Sequence, residues 1–187
     1  MSTRFNPDRL DLRMLAQSGE PLQGDDALAM YPRLVSEGGD AAQRLVRWVA
    51  QAEWRRPAPV PGKAALEAPV LWLHLQASTS LSLTCQRCLA PVDEALDTDR
   101  WFRFVADEAT AAALDDEAEE DILVISREFG ALALIEDELI WSLPLVPLHE
   151  VCPEVMPMSV ADPEFDAAAQ RPNPFGVLAG LKTDKSS

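Results

Sequence analysis

Cysteine, histidine and tyrosine are all scarce in this chain of 187 residues, which has three, two and one of them. An odd number of cysteines does not form a complete disulfide framework, so none is expected. Only His74 and His149 are available as imidazole bases. No stretch reaches the roughly 20 apolar residues that cross a bilayer. Residues 1–9 also lack the apolar core of a signal peptide, and we therefore expect a cytoplasmic protein with reduced thiols.

Basic residues are scarce as well. Sixteen Lys and Arg stand against 31 Asp and Glu, which gives a net charge of −15. Residues 1–60 are neutral, with eight Arg and eight acids, whereas residues 93–166 hold 21 acids and three Arg. A chain this acidic repels polyanions, which excludes a general phosphate-neutralising binder of nucleic acid. Any contact with nucleic acid must be local, or must be made through a basic partner.

Alternating hydrophobicity is the clearest pattern present. Between residues 70 and 85 every second residue is apolar or small, which predicts a long half-buried strand. Residues 92–105 predict its return strand, so residues 85–91 form the tip of a hairpin. Residues 43–55 also alternate and predict a strand, and residues 122–125 predict a short buried one.

Two stretches have helical character. Residues 131–142 place Leu132, Ile135 and Leu139 on one stripe, which predicts a helix that packs on the sheet. Residues 8–17 predict a second helix, capped by Asn6. The fold expected is therefore α+β, a single domain over residues 1–187 built on an antiparallel sheet.

Two further segments predict irregular structure. Residues 107–121 contain a dense block of acids that repel one another, which predicts a mobile acidic loop. Residues 153–187 are repeatedly interrupted by proline, which predicts an irregular C-terminal segment.

The three cysteines fall into two pairs with the same spacing. Cys85 and Cys88 lie at the predicted hairpin tip, and His149 and Cys152 form a second pair three residues apart. Thiolate and imidazole are the usual ligands of four-coordinate structural zinc, so the two pairs together are a candidate Zn²⁺ site, although no cofactor is required by the spacing alone. The alternative is that these thiols are small buried hydrophobes, and Cys85 indeed falls on the apolar face of its strand.

Two reactive interpretations of the thiols are less favoured. A redox Cys-x-x-Cys pair needs its first thiol at a helix N-terminus, but here strands flank the pair on both sides. His149 and Cys152 could mimic a nucleophile and its base, but no glycine motif that would stabilise an oxyanion accompanies them. We therefore expect a protein that is not an enzyme.

A few cations and aromatic side chains are candidates for local contact with RNA or with a partner. Arginine binds phosphate and stacks on bases, and tryptophan stacks on bases too. The alternatives are a half-buried strand with a solvated arginine edge and, for the tail, docking of Phe175 on the domain itself. The candidates are Arg44, Arg47, Trp48, Trp54, Arg55, Arg56, Arg87 and Phe175.

Several blocks of the chain, taken in order, resemble one family, the YceD-like large ribosomal RNA subunit accumulation proteins. The blocks are Leu-Ser-Leu-Thr followed by Cys85-Gln-Arg-Cys88, Glu128-Phe129-Gly130, Ile135-Glu-Asp-Glu-Leu-Ile140, Leu143-Pro-Leu-Val-Pro147, His149, Cys152, Arg171-Pro-Asn-Pro-Phe175, Val177-Leu-Ala179 and Leu181-Lys182. One departure is that the stretch from Gly130 to Leu134 lacks the Asp that family members often carry near the start of the central helix.

The resemblance implies a cytoplasmic, non-enzymatic factor that supports the accumulation of large-subunit (23S) rRNA during ribosome biogenesis. Its partner would be that rRNA or a pre-ribosomal particle. The acidic charge could in addition attract a basic ribosomal protein, or it could serve solubility alone. A zinc-stabilised interaction module unrelated to ribosomes and a thiol-dependent enzyme are the alternatives.

Overall fold

One five-stranded sheet organises the part of the chain that this computed structural model describes, which is residues 5–38, 43–56, 68–115, 118–153 and 175. The sheet order follows the chain, and β1 to β4 are antiparallel, whereas β5 runs parallel to β4. The predicted α+β class is therefore confirmed. The strands are β1 (Leu22–Ala27), β2 (Leu45–Arg55), β3 (Val70–Thr84), β4 (Pro91–Val105) and β5 (Asp121–Val124).

Four α-helices accompany the sheet in the described residues: α1 (Leu12–Ser18), α2 (Pro32–Glu37), α3 (Glu108–Leu114) and α4 (Ala131–Trp141). The predicted helix over residues 131–142 is confirmed. Its N-cap, Gly130, makes no side-chain capping bond, which matches the absence of an acid there. The helix predicted over residues 8–17 begins only at Leu12, because the backbone of Leu10 pairs with Phe129 instead.

The acidic segment is more regular than its charge suggested. The prediction that residues 107–121 form a loop is wrong for Glu108–Leu114, which are helical. The Asp107 carboxylate accepts a hydrogen bond from the Thr110 N–H (2.8 Å) and so satisfies an orphan donor of the first turn. The three alanines at positions 111–113 are also strong helix formers. The densest acids begin at residue 115, where this helix has ended.

Within the part of the chain that the structure describes, the sheet buries one of its faces and exposes the other. Alternate residues of β2, β3 and β4, among them Val46, Leu73 and Phe102, join one core with residues of α1, α2 and α4. The intervening residues, such as Gln51, Gln76 and Asp97, are exposed on what we call the open face. This division follows from the strict alternation of side chains along a strand.

Helix α4 is tied to α2 by a buried carboxylate. Glu136 accepts hydrogen bonds from the backbone N–H groups of Arg33 (2.7 Å) and Leu34 (3.3 Å), and from the Arg33 side chain (2.9 Å). It therefore satisfies orphan N–H groups at the start of α2 from a different helix.

The chain separates into two compact units, Met1–Val151 and Cys152–Ser187. All the strands and helices given above lie in the first unit, and the described residues of the second are Cys152, Pro153 and Phe175. The single domain and the irregular segment over residues 153–187 therefore stay predictions, and the latter lies mostly outside the described residues. Among the described residues, no helix is both long and apolar enough to cross a membrane.

A hydrogen-bond network on the buried face of the sheet provides a test of how the core is packed. Asp26 accepts hydrogen bonds from the indole N–H of Trp48 (2.6 Å) and the hydroxyl of Tyr31 (2.9 Å), and both aromatic residues are buried. Burial and the neighbouring Asp26 raise the pKa of Tyr31, so its hydroxyl stays a donor. The Trp48 ring lies across Gly24, where a Cβ would come within 2.7 Å of the indole.

We predict that Asp26→Ala lowers the free energy of unfolding by about 2–4 kcal/mol, because two buried donors lose their acceptor. Asp25→Ala is the matched control, since its carboxylate is exposed and pairs with the exposed guanidinium of Arg47. It should cost less than about 1 kcal/mol. Urea unfolding of both variants measures the difference, and equal losses would contradict the network's role.

Candidate metal centre

The loop between β3 and β4 is a tight turn that brings two thiols together. The Cys85 N–H donates to the Ala90 carbonyl (3.0 Å), and the Leu89 N–H donates to the Cys85 carbonyl (2.9 Å). Leu89 has a φ of 61°, in the left-handed region that non-glycine residues rarely adopt. This conformation costs about 1–2 kcal/mol for a residue with a Cβ. The turn returns the chain sharply after Cys88, as the hairpin prediction required.

A second segment, which follows α4, lies against this turn. The Gln86 N–H donates to the Pro147 carbonyl (2.9 Å), and the His149 N–H points at the Cys85 sulfur (3.5 Å). Both contacts hold the backbone after α4 to the hairpin tip. The second half of the predicted site therefore reaches the first through contacts made by residues 147–149.

The His149 ring is oriented by two contacts. Its Nε2 lies 3.0 Å from the Pro91 carbonyl, and its Nδ1 lies 3.3 Å from the Cys88 sulfur. A carbonyl only accepts, so Nε2 carries the proton in the neutral ring and the lone pair of Nδ1 faces the thiols. Metal-bound histidines commonly donate their other ring N–H in this way, which fixes the tautomer needed for ligation.

The environment of Cys85 favours its thiolate form. Burial opposes ionisation, but the N–H groups of Cys88, His149 and Arg87, with the His149 side chain, outweigh it and lower the pKa of Cys85 to about 5. Cys85 is completely buried and, like Cys88, is not in a disulfide. A buried thiolate ringed by N–H donors is suited to ligation of a cation, whereas a simple hydrophobic role would leave the thiol protonated.

The donor set as a whole has the dimensions of a metal site. Cys152 follows Val151 directly, and its sulfur, those of Cys85 and Cys88, and a His149 nitrogen lie within 4.8 Å of one another. Tetrahedral zinc with bonds of about 2.3 Å separates neighbouring sulfurs by about 3.8 Å. A small contraction would thus bring all four atoms to ligand distance. The structure assembles the four residues that the spacing predicted, and they can hold a metal ion.

The predicted contact residues on and beside β2 differ in their exposure and in their partners. The exposed guanidinium of Arg47 pairs with Asp25 (3.5 Å), and Arg44 is held by Ser80 (2.8 Å) and Asp93 (2.6 Å). Trp48 is only 4% exposed and donates to Asp26, so its prediction as a contact residue is wrong. It lies on the core face of β2, whereas the alternation alone left open which face would be covered.

The remaining candidates lie at the surface. Trp54 is 43% exposed at the end of β2, and Arg56 beside it is exposed. Arg87 is exposed at the hairpin tip, and Phe175 is 69% exposed. Arg55 lies on the open face, where its guanidinium stacks over Trp101 at 3.7 Å from the ring centroid.

Sequence reasoning missed the surface around that stacked arginine. Trp72, His74 and Trp101 meet on the open face, and the His74 and Trp101 rings are parallel at 4.2 Å. The alternation of β3 did assign Trp72 and His74 to the polar face. Only the register, which places His74 opposite Trp101, reveals that they form one surface.

The fold and site define a class of protein: an α+β protein with three cysteines and one histidine collected at a hairpin tip. Residues 73–182 match the sequence model of one family, described as "Large ribosomal RNA subunit accumulation protein YceD". That match covers more than half of the chain, and the chain belongs to the YceD family. All four residues of the cluster lie inside the matched region.

A relative from Haemophilus influenzae, named "Large ribosomal RNA subunit accumulation protein YceD", is 39% identical over 110 residues. The alignment covers 54% of this chain and 60% of that protein, so the chain spans less than two thirds of its relative's length. No solved structure matches the chain.

Proposed function

We propose that this protein is a non-enzymatic factor in ribosome biogenesis that supports accumulation of large-subunit (23S) rRNA in the cytoplasm. Membership of the YceD family carries the proposal. The relative bears the same description, which concerns the accumulation of that RNA. The partner proposed is the large-subunit rRNA or a pre-ribosomal particle. The net charge of −15 favours local contacts, or contacts through a basic ribosomal protein.

A structural role of the thiols supports the non-enzymatic part of the proposal. Cys85 is completely buried, so a substrate would not reach its sulfur. The lone pair of His149 Nδ1 points at Cys88 within the four-residue cluster, and its other nitrogen is held by a backbone carbonyl. This arrangement favours a ligand over a mobile general base, and it argues against the thiol-dependent enzyme.

We predict that depletion of the protein in its own host lowers the ratio of large-subunit to small-subunit rRNA, because the large-subunit rRNA fails to accumulate. Quantification of the two mature rRNAs before and after depletion measures the ratio. Re-expression of the wild-type chain should restore it. An unchanged ratio would contradict the proposal and favour the zinc-stabilised module unrelated to ribosomes.

The metal proposed for the cluster is Zn²⁺ in a structural role. Three thiolates with one imidazole form a common closed zinc set, and such a site leaves no open position for a substrate. The ligands would join the hairpin tip to the segment after α4, which are already in contact through Gln86 and Pro147. Bound zinc would supply folding energy at that junction.

We predict that the protein purified without chelator carries about one zinc per chain. His149→Asn should lower this ratio strongly, because it removes a ligand and its carbonyl contact. His74→Asn is the matched control, since His74 lies on the open face and bonds Asp99. Metal analysis by mass spectrometry measures the ratio, and cobalt substitution should give a thiolate-to-cobalt absorption band. A ratio near zero in the wild-type protein would remove the metal proposal.

Contact with RNA is proposed at two exposed arginines. Arg87 lies at the hairpin tip, and Arg56 lies beside exposed Trp54, which can stack on a base. Arg44 lies against Asp93 and Arg47 lies against Asp25, so a phosphate bound to either arginine would also meet a carboxylate. These contacts would be local, as the overall charge requires.

We predict that Arg56→Ala and Arg87→Ala weaken binding of large-subunit rRNA fragments and each lower the salt slope by about one. Arg13→Ala is the control, because Arg13 is also exposed but lies on α1, which packs on the core face of the sheet. Filter binding across a salt series measures both quantities. If all three variants behave alike, these arginines are not phosphate contacts.

A further inference from the structure

The open face of the sheet carries a cavity. A cavity of about 700 Å³ crosses β1 to β4 and is lined on this face by Gln23, Asp25, Arg47, Gln76, Asp97 and Asp99. We call it the open-face groove. Four neighbouring strands span about 14 Å, which is the length of about four residues in extended conformation. The groove therefore suits a short extended segment of chain.

The charge of the groove is mainly negative. Three carboxylates face it, from Asp25, Asp97 and Asp99, against the single guanidinium of Arg47. Hydrogen bonds from Gln76 and His74 lower the pKa of Asp99, so this carboxylate is ionised at neutral pH. Arg47 already pairs with Asp25. A phosphate backbone would be repelled here, whereas a cationic side chain would be attracted.

The neutral lining suits a peptide. Gln23 offers an amide, Gln76 offers the part of its amide that does not donate to Asp99, and Ser78 offers a hydroxyl, so the backbone of an extended segment can be hydrogen-bonded. Val49 lies among them and is half-buried. The groove thus offers carboxylates to the cationic side chains of a bound segment, and hydrogen-bond donors and acceptors to its backbone.

The same face already holds a guanidinium. Arg55 places its guanidinium 3.7 Å from the centroid of Trp101 and 4.9 Å from that of Trp72. Its side chain also pairs with Glu53. Arginine binds favourably both by stacking on an aromatic ring and by pairing with a carboxylate, and Arg55 does both. Arg55 therefore shows that this face of the sheet accommodates a guanidinium, although Trp101 and Trp72 themselves do not line the groove.

We propose that the open-face groove is the docking site for an extended Arg- or Lys-rich segment of a protein partner. The ribosomal identity of that partner rests on the proposed function, whereas the chemistry of the groove does not. Cationic side chains of the segment pair with Asp97 and Asp99, and its backbone bonds the amides. The groove thereby gives a basic protein a defined binding site, in addition to the long-range attraction that the negative net charge of the chain exerts on it.

A labelled eight-residue peptide of alternating Arg and Ser is the probe, and fluorescence anisotropy measures its dissociation constant. We expect Asp97→Asn/Asp99→Asn to weaken binding about tenfold, since two charge pairs are lost. Glu108→Gln/Glu119→Gln is the matched control: it changes the net charge equally, and both glutamates are exposed outside the groove. Arg47→Ala should tighten binding, because it removes a competing cation.

Two further measurements fix the position of the bound peptide. The chemical shifts of the backbone amides should change along β1 to β4 when the peptide binds. Ser78→Lys should weaken binding of the peptide, and this variant tests the groove even if the double aspartate variant folds poorly. Equal weakening by the groove and control variants would show diffuse attraction and overturn the proposal. Displacement of the peptide from these amides by a single-stranded large-subunit rRNA fragment would also overturn it, in favour of RNA at this face.

The peptide-binding and depletion experiments together distinguish a failure of the docking proposal from a failure of the proposed function. If the peptide fails to bind the groove while depletion still lowers large-subunit rRNA, the docking proposal fails and the function stands. If the peptide binds there but depletion leaves the rRNA ratio unchanged, the groove is a basic-peptide site outside ribosome biogenesis.

Discussion

One-sided burial of an antiparallel sheet is the constraint on which the rest of this structure depends. Successive side chains on β3 point in opposite directions, and its leucines commit one face to the core. The core-forming helices must cover that face, since burial of apolar surface is the main favourable term in folding. The other face stays accessible with its polar and aromatic side chains. The groove and the stacked Arg55 exist because the described helices cover one face of the sheet and leave these side chains on the other.

The candidate metal centre depends on a different feature, the long hairpin. A tight turn fixes two thiols at short range, and residues 147–149 return to it across a separation of 61 residues between Cys88 and His149. Backbone contacts alone connect these segments weakly, because each hydrogen bond contributes only about 1 kcal/mol net. A bound cation would fasten them much more firmly. Metal and fold would then support each other at the hairpin tip.

The charges of this protein act locally rather than as a sum. Acids that look uniform in the sequence have separate tasks: Asp26 accepts from buried aromatic residues, Glu136 caps a helix, and Asp107 starts another. Asp97 and Asp99 face an accessible groove instead. The net charge governs electrostatic attraction at long range, whereas binding at a site depends on the few charged and polar groups that lie together there. The proposed role beside an RNA is compatible with the acidic composition for this reason.

The sequence by itself determined the long strands, the hairpin tip, helix α4 and the two pairs of candidate ligands, since these follow from local periodicity, turn chemistry and spacing. Family resemblance was likewise readable from ordered motifs. Only the tertiary structure decided that Trp48 is buried, that part of the acidic block is helical, and that Trp72, His74 and Trp101 share a surface. Alternation states that two faces differ but not which one helices will cover, and the register between strands is set by packing at long range.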